Sequence, residues 1–213
     1  MTAIRHHIPD DVLMGYAAGA LPRAFDLVVA THVSLSDEAR ARLAGFEEVG
    51  GAVLSELEAC EIGEDSLEKT LAKISGMAPT PRTGPAEGLF PKPLQEAVGG
   101  DADTVTWKGI GMGAKQAVIC SEDGAVARLL SIPAGQAMPQ HGHNGMEMTL
   151  VLKGAFRDED GVFARGDIEV ANQDVDHSPV AEPGEDCVCL IATDAKLRFQ
   201  GVLPRIAQPF LGL

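Results

Sequence analysis

Residues 78–93 read Ala-Pro-Thr-Pro-Arg-Thr-Gly-Pro-Ala-Glu-Gly-Leu-Phe-Pro-Lys-Pro, and five prolines with two glycines cannot continue a helix. The run also marks a change of rhythm. Before it, apolar residues recur at helical spacing; from about residue 105, short apolar runs alternate with turn residues. The expected organisation is a helical unit over 1–77, an extended linker over 78–93 and a β unit over 94–213. The fold class is therefore α + β in two domains, a small N-terminal helical bundle followed by a C-terminal β-barrel of jelly-roll type. A length of 213 residues accommodates two small domains.

Four helices are expected before the break. Pro9-Asp10-Asp11 opens the first, with acids at the positive end of the helix dipole, and Val12, Leu13, Tyr16 and Ala17 share one face. Leu21-Pro22 opens the second, whose stripe is Phe25, Val28, Val29, His32 and Leu35. Ser36-Asp37-Glu38 caps a third carrying Leu43, Phe46, Val49, Val53, Leu54 and Leu57. Asp65 with Glu68 resembles a capping box for a fourth, striped by Leu67, Leu71 and Ile74. The surface around Val12, Phe25, Val28 and Val29 would suit a docking partner, unless these residues form only the unit's own core.

Beyond the break the expected strands are Ala117–Cys120, Ala127–Ile132, Glu147–Leu152, Asp167–Val170, Cys187–Ala192 and Leu197–Val202. Leu89 and Phe90, inside the linker, anchor on this second unit. Cys187 and Cys189 fall on one face of their strand and read as buried thiols. Four cysteines are too few and too scattered for a disulfide framework, which with the absence of a signal-like N-terminus or a membrane-length apolar run points to the cytoplasm. A formal charge of −14 repels a phosphate backbone, and aromatics at 4% leave little for base stacking, so direct nucleic-acid binding is disfavoured.

The segment with chemistry runs from Gly135 to Gly154. His141, His143 and Glu147 are separated by even numbers, so an extended chain turns all three side chains to one face. Two imidazoles and a carboxylate converging in a barrel make a divalent metal site. A fourth ligand should come from another strand, and His177 is the remaining histidine of this half.

These spacings resemble the cupin family. Its first motif is matched by Gly135, His141, His143, Glu147 and Gly154. Its second is matched by Gly166 and His177, while Asn172, Asp174 and Ala181 stand where that motif has proline, glycine and asparagine. The departures touch turn residues and leave the ligands intact. The resemblance implies a cupin β-barrel with metal held by His141, His143, Glu147 and His177. Zinc is expected, with nickel, iron or manganese as alternatives.

Upstream, Tyr16-Ala-Ala-Gly-Ala-Leu21 and Leu27-Val-Val-Ala-Thr-His32 resemble a zinc-type anti-sigma domain. Helices, linker and cupin together resemble ChrR-type anti-sigma factors over essentially the whole chain. That resemblance implies a helical unit that holds an extracytoplasmic-function sigma factor and a cupin needed for the response to singlet oxygen and related oxidants. It implies no catalytic residue. One departure is plain: Ser36 and Ala39 occupy the positions of the family's two N-terminal cysteines, leaving His32 with His7 or His6. Two imidazoles without thiolates make a poor structural zinc site, so no tight metal is expected in the N-terminal domain. The alternatives are a metal-dependent cupin enzyme, an oxygenase or small-molecule hydrolase, and a metal-dependent sensor whose helical unit only oligomerises.

Overall fold

A computed structural model describes residues 3–77, 88–196 and 198–199. Among these described residues five helices, α1 (Asp10–Ala17), α2 (Arg23–Leu35), α3 (Asp37–Ser55), α4 (Ser66–Ser75) and α5 (Lys92–Val98), precede twelve strands. The strands are β1 (Lys108–Gly111), β2 (Ala114–Glu122), β3 (Ala125–Ile132), β4 (His141–Gly142), β5 (Glu147–Lys153), β6 (Ala155–Asp158), β7 (Gly161–Ala164), β8 (Ile168–Ala171), β9 (Asp176–His177), β10 (Val180–Ala181), β11 (Cys187–Thr193) and β12 (Arg198–Phe199). All pair antiparallel, in a six-stranded sheet ordered β1-β2-β3-β11-β5-β8 and two three-stranded sheets, β10-β6-β7 and β12-β4-β9. Among the described residues these sheets do not close into one ladder, so the architecture is cupin-like α + β.

Most expected elements form, for the reasons that predicted them. The Ser36 hydroxyl caps α3 by accepting the Ala39 N–H at 3.1 Å. Pro22 stands one residue outside α2 as its N-cap. The capping box at Asp65 does not form: its side chain caps nothing and instead pairs with Lys69 one turn on. The first ten residues of the linker lie outside the described residues, as do Leu197 and residues 200–202 of the last expected strand. The linker's final residues are helical, not extended. Pro93 sits in the first turn of α5, where a missing N–H is harmless because that donor has no intrahelical partner. Asp101 then fixes Leu89 and Phe90 by accepting their backbone N–H groups at 2.7 and 2.9 Å.

The large sheet has both faces covered. Its outer face, with Ala127, Leu129, Leu150 and Leu190, packs in one continuous core with Val12, Phe25, Val28, Val29, Phe90 and Leu94 of the helices. Its inner face, with Ile132, Val151, Cys189 and Ile191, packs against Phe156 and Phe163 of the second sheet. Double coverage explains why six of seven residues in β5, and every residue of β11, are buried instead of alternating. It also corrects one expectation: Val12, Phe25, Val28 and Val29 are buried against the sheet and offer no docking surface.

A polar clasp joins the two units. The Asp167 carboxylate accepts the backbone N–H of Arg5 at 2.6 Å, His6 at 3.0 Å and Ala164 at 2.8 Å. His32 Nδ1 donates to the Gly166 carbonyl at 3.0 Å. Gly166 has φ +93°, and a Cβ there would meet the Ile4 side chain at 2.9 Å, so the turn admits only glycine. Asp167 is 2% exposed, and its loss would strand three donors. Asp167→Ala is expected to lower unfolding free energy by about 2–4 kcal/mol in urea titration. A loss under ~0.5 kcal/mol would show that water replaces the carboxylate freely.

Candidate metal centre

His141 and His177 face each other across the β4–β9 pair, and Glu147 opens β5. The stretch from His141 to Glu147 is not extended throughout: the chain bends after Gly142 at Asn144-Gly145. The bend is pinned by Asp194, whose carboxylate accepts the Met146 N–H at 2.8 Å. The ligand faces still converge, because β12 and β9 flank β4 while β11 and β8 flank β5. Gly154 ends the motif with φ +66°, and a Cβ there would lie 2.7 Å from the Asp186 carbonyl oxygen.

The structure brings all four expected residues together. His141, His143, Glu147 and His177 are buried, and one ligand atom from each lies within 4.8 Å of the others. His177 Nε2 is 3.1 Å from His141 Nε2 and 3.3 Å from His143 Nε2. Nitrogens bound at 2.0–2.1 Å around one tetrahedral ion stand about 3.3 Å apart. The cluster therefore has the spacing of a coordination shell, and the residues fit a divalent metal.

Neighbours fix the ring orientations. His141 Nδ1 donates to the Pro139 carbonyl at 2.9 Å, leaving the Nε2 lone pair for the cluster. His177 Nδ1 meets Asp158 Oδ2 at 3.3 Å and Glu169 Oε1 at 3.0 Å, which again leaves Nε2 as the ligating atom. His143 Nδ1 lies 3.7 Å from Glu147 Oε2, too long for a hydrogen bond. The Thr149 hydroxyl donates to Glu147 Oε1 at 3.3 Å. Asp158 and Glu169 were not recognised in the sequence. Asp158 stands in the acidic run Asp158-Glu159-Asp160 and Glu169 two residues after Asp167, so nothing local marks either, and only strand pairing reveals its role.

Without metal the four groups titrate against one another. Burial pushes His141 and His143 down to about 4. Burial, aided by the Glu169 charge, pushes Glu147 up to about 7. Burial opposes charge on His177 too, but Glu169 and Asp158 raise it to about 9. The two lowered imidazoles contribute stability above pH 6.5 that is lost as pH falls toward 4. Raised His177 contributes stability below pH 6.5 that is lost as pH rises toward 9, and raised Glu147 loses its share as pH climbs to about 7. Chelator-treated protein should therefore melt highest near pH 6 and progressively lower on both sides. A flat melting profile between pH 6.5 and 9 would contradict this.

The family's N-terminal zinc does not fit the residues present. Ser36 Oγ is engaged as a helix cap, and Ala39 has no donor atom. His32 is committed through Nδ1 to Gly166, and His7 Nε2 pairs with Glu38 at 3.2 Å. One buried nitrogen of each ring, His32 Nε2 and His7 Nδ1, has no hydrogen-bond partner. Two imidazole nitrogens fall short of the four ligands, thiolates among them, of a structural zinc site.

Comparison with known proteins agrees with this geometry. Residues 95–196 match the family described as ChrR Cupin-like domain. The chain is 49% identical over 208 residues to the anti-sigma-E factor ChrR of Cereibacter sphaeroides, covering 97% of this chain and 98% of that protein. The crystal structure of Rhodobacter sphaeroides SigE in complex with the anti-sigma ChrR aligns with TM-score 0.81 and 47% identity, over 90% of this chain and all of the matched chain.

Proposed function

The chain belongs to the ChrR family of anti-sigma factors, and from that premise we propose that it holds an extracytoplasmic-function sigma factor inactive and releases it on an oxidative signal, of the singlet-oxygen type, received at a metal-binding cupin. The whole-length likeness to ChrR carries the reading, since it includes the helical unit and not the cupin alone. The division of labour is the one expected from sequence: 1–77 for sigma binding, 78–93 as linker, 94–213 as sensor.

The buried face of α2 is spent on the sheet, so the sigma surface lies further along the chain. Val49, Val53 and Leu54 at the end of α3, Leu57 just beyond it, and Leu67, Leu71 and Ile74 on α4 are all more than half exposed. No residue of α4 is buried. An amphipathic helix with an uncovered apolar stripe suits a groove on a partner. A net charge of −14 complements the basic DNA-reading surfaces of a sigma factor and disfavours nucleic acid directly. No described helix is long and apolar enough to cross a membrane, which accords with a cytoplasmic site of action.

The sensing centre is one zinc ion held by His141, His143, Glu147 and His177, which would supply Lewis acidity and a fixed positive charge. Its route to the helices is short. Glu169 on β8 touches the ligand His177, and Asp167, two residues earlier, clasps the N-terminal segment beside the His32–Gly166 bond. A shift of His177 is thus felt at the helix–sheet contact. A coupling of about 1–3 kcal/mol changes sigma occupancy several-fold to a hundredfold. The test is co-purification with the sigma factor encoded beside it, followed by exposure to singlet oxygen from a photosensitiser. Release from the unaltered protein but not from Glu147→Ala supports the reading; no capture at all refutes it.

A further inference from the structure

Two loops that carry ligands of the metal cluster are tied together at one methionine. The chain at Ala137 runs antiparallel to Val180, with an isolated bridge between them. Met138 donates its backbone N–H to the Pro179 carbonyl at 2.9 Å, and its own carbonyl accepts the Ser178 hydroxyl at 3.1 Å. Ser178 and Pro179 directly follow the ligand His177. The next carbonyl, that of Pro139, holds His141 Nδ1 at 2.9 Å. A displacement of Met138 therefore reaches two of the four ligands through the main chain.

The Met138 side chain packs against the inner core that contains Phe156 and Ile191, and it lines the cavity reached by His141, Glu147 and His177. Arg128, Thr149, Glu169 and Thr193 share that wall, and none of them offers an easily oxidised atom. The oxidisable groups there are the Met138 thioether, the Cys189 thiol and the imidazoles of His141 and His177. The Cys187 thiol, 3.6 Å away, and burial push the Cys189 thiol well up, so it stays un-ionised and unreactive. The imidazoles present Nε2 to the metal, which withdraws their electron density. A thioether needs no ionisation to react. The other described methionines are placed differently. Met14, Met77, Met112 and Met146 are exposed, so a sulfoxide on any of them stays in water, and Met148 lies in the helix–sheet core on the far face of the sheet.

We infer that Met138 is a modification site, at which singlet oxygen entering the cavity converts the thioether to a sulfoxide and thereby loosens His141 and His177 from the metal. This rests on the proposed oxidant-sensing role of the metal-binding cupin and names the atom that receives the oxidant. A cavity of about 70 Å³ admits a neutral diatomic molecule with water beside it, since one water needs roughly 10–15 Å³ of such space. The sulfur lone pair adds to dioxygen, forming an S–O bond. Water then adds at sulfur, and the O–O unit departs as hydrogen peroxide with both of the water's protons. Thioether, O2 and H2O thus give sulfoxide and H2O2, with sulfur losing two electrons and dioxygen gaining them. The product sets a strong dipole against Phe156 and Ile191, where an apolar, flexible side chain had packed.

The test exposes the zinc-loaded full chain to singlet oxygen from a photosensitiser. A chromogenic chelator follows zinc, and peptide mass spectrometry locates the added oxygen. Sulfoxide at Met138 should appear in step with zinc release. Met138→Leu keeps the volume and apolar character, so it should bind zinc as the unaltered chain does and release it at least about tenfold more slowly under the oxidant. Met138→Gln puts a polar group of similar length at the same place and should hold zinc at least about tenfold more weakly with no oxidant present. Methionine sulfoxide reductases should restore zinc binding to the oxidised chain, which they would not do for oxidised imidazole. Equal release from Met138→Leu, protection by Met146→Leu instead, unweakened zinc binding in Met138→Gln, or oxidation confined to His141 and His177 overturns the inference and leaves the metal site standing. Release of the sigma factor with zinc still bound overturns the inference alone. An unaltered chain that takes up no zinc, or that keeps both zinc and sigma factor under the oxidant, overturns the reading beneath it as well.

Discussion

Purified, untagged protein is expected to carry close to one equivalent of zinc, and the His141→Ala/His143→Ala variant less than a tenth of that. The double change deletes two of four donors. The remaining pair, His177 and Glu147, resembles any surface His–carboxylate contact in having no closed shell. Structural zinc sites bind with roughly 10–16 kcal/mol, and most of that depends on a complete tetrahedral set. Binding to the folded state alone also stabilises it, by about 4 kcal/mol when free metal exceeds Kd a thousandfold. Chelator should therefore lower the melting temperature of the unaltered protein and leave that of the variant unmoved. His32→Ala is expected to leave the metal count at one, because Ser36 and Ala39 give the helical unit no thiolates. Elemental analysis decides both points. Full metal retention in the double variant would overturn the ligand assignment, and loss of a second equivalent in His32→Ala would restore a zinc to the helices.

The ligands were legible because their chemistry is local. His141, His143 and Glu147 lie within seven residues of one another, and a rare residue type at a fixed period survives the bend that the structure places between them. Helices α1 to α4 were legible from stripes and caps for the same reason. What depends on long-range pairing was not. Asp158 and Glu169 reach His177 only because β6, β8 and β9 converge, and neither is flagged by its neighbours in sequence. Strands β6 and β7 were passed over, since each is only four residues long and Arg157 and Asp158 interrupt the apolar rhythm of β6. Helix α5 was hidden by the prolines that start it. The helix–sheet core was the largest omission. An apolar stripe such as Phe25-Val28-Val29 declares that it will be buried, not against what, and the His32–Gly166 bond spans 134 positions.

That shared core determines how the sigma surface must be probed. Severing the helices at residue 77 would uncover Phe25, Val28 and Val29, each worth about 1.5–3 kcal/mol of burial, so a fragment that failed to bind would be uninformative. Substitution in the full chain avoids this. Leu67, Leu71 and Ile74 recur at four and three residues along α4, on one stripe, with relative exposures of 68%, 53% and 58%. Changing all three to glutamate disturbs little within the fold, so the melting temperature should stay within about 2 °C of the unaltered protein. In the complex the same change removes three apolar anchors and would bury charge in their place. At about 1.5–3 kcal/mol per lost anchor, affinity for the sigma factor should fall at least a thousandfold, since each 1.4 kcal/mol is a factor of ten. Lys73→Glu, well away from that stripe on the same helix, should change affinity by less than threefold. Titration of labelled sigma factor against the three proteins reads out these differences directly. If the triple variant binds within a few-fold of the unaltered chain, α4 is not the docking helix, and Val49, Val53 and Leu54 of α3, with Leu57 just beyond it, become the surface to test.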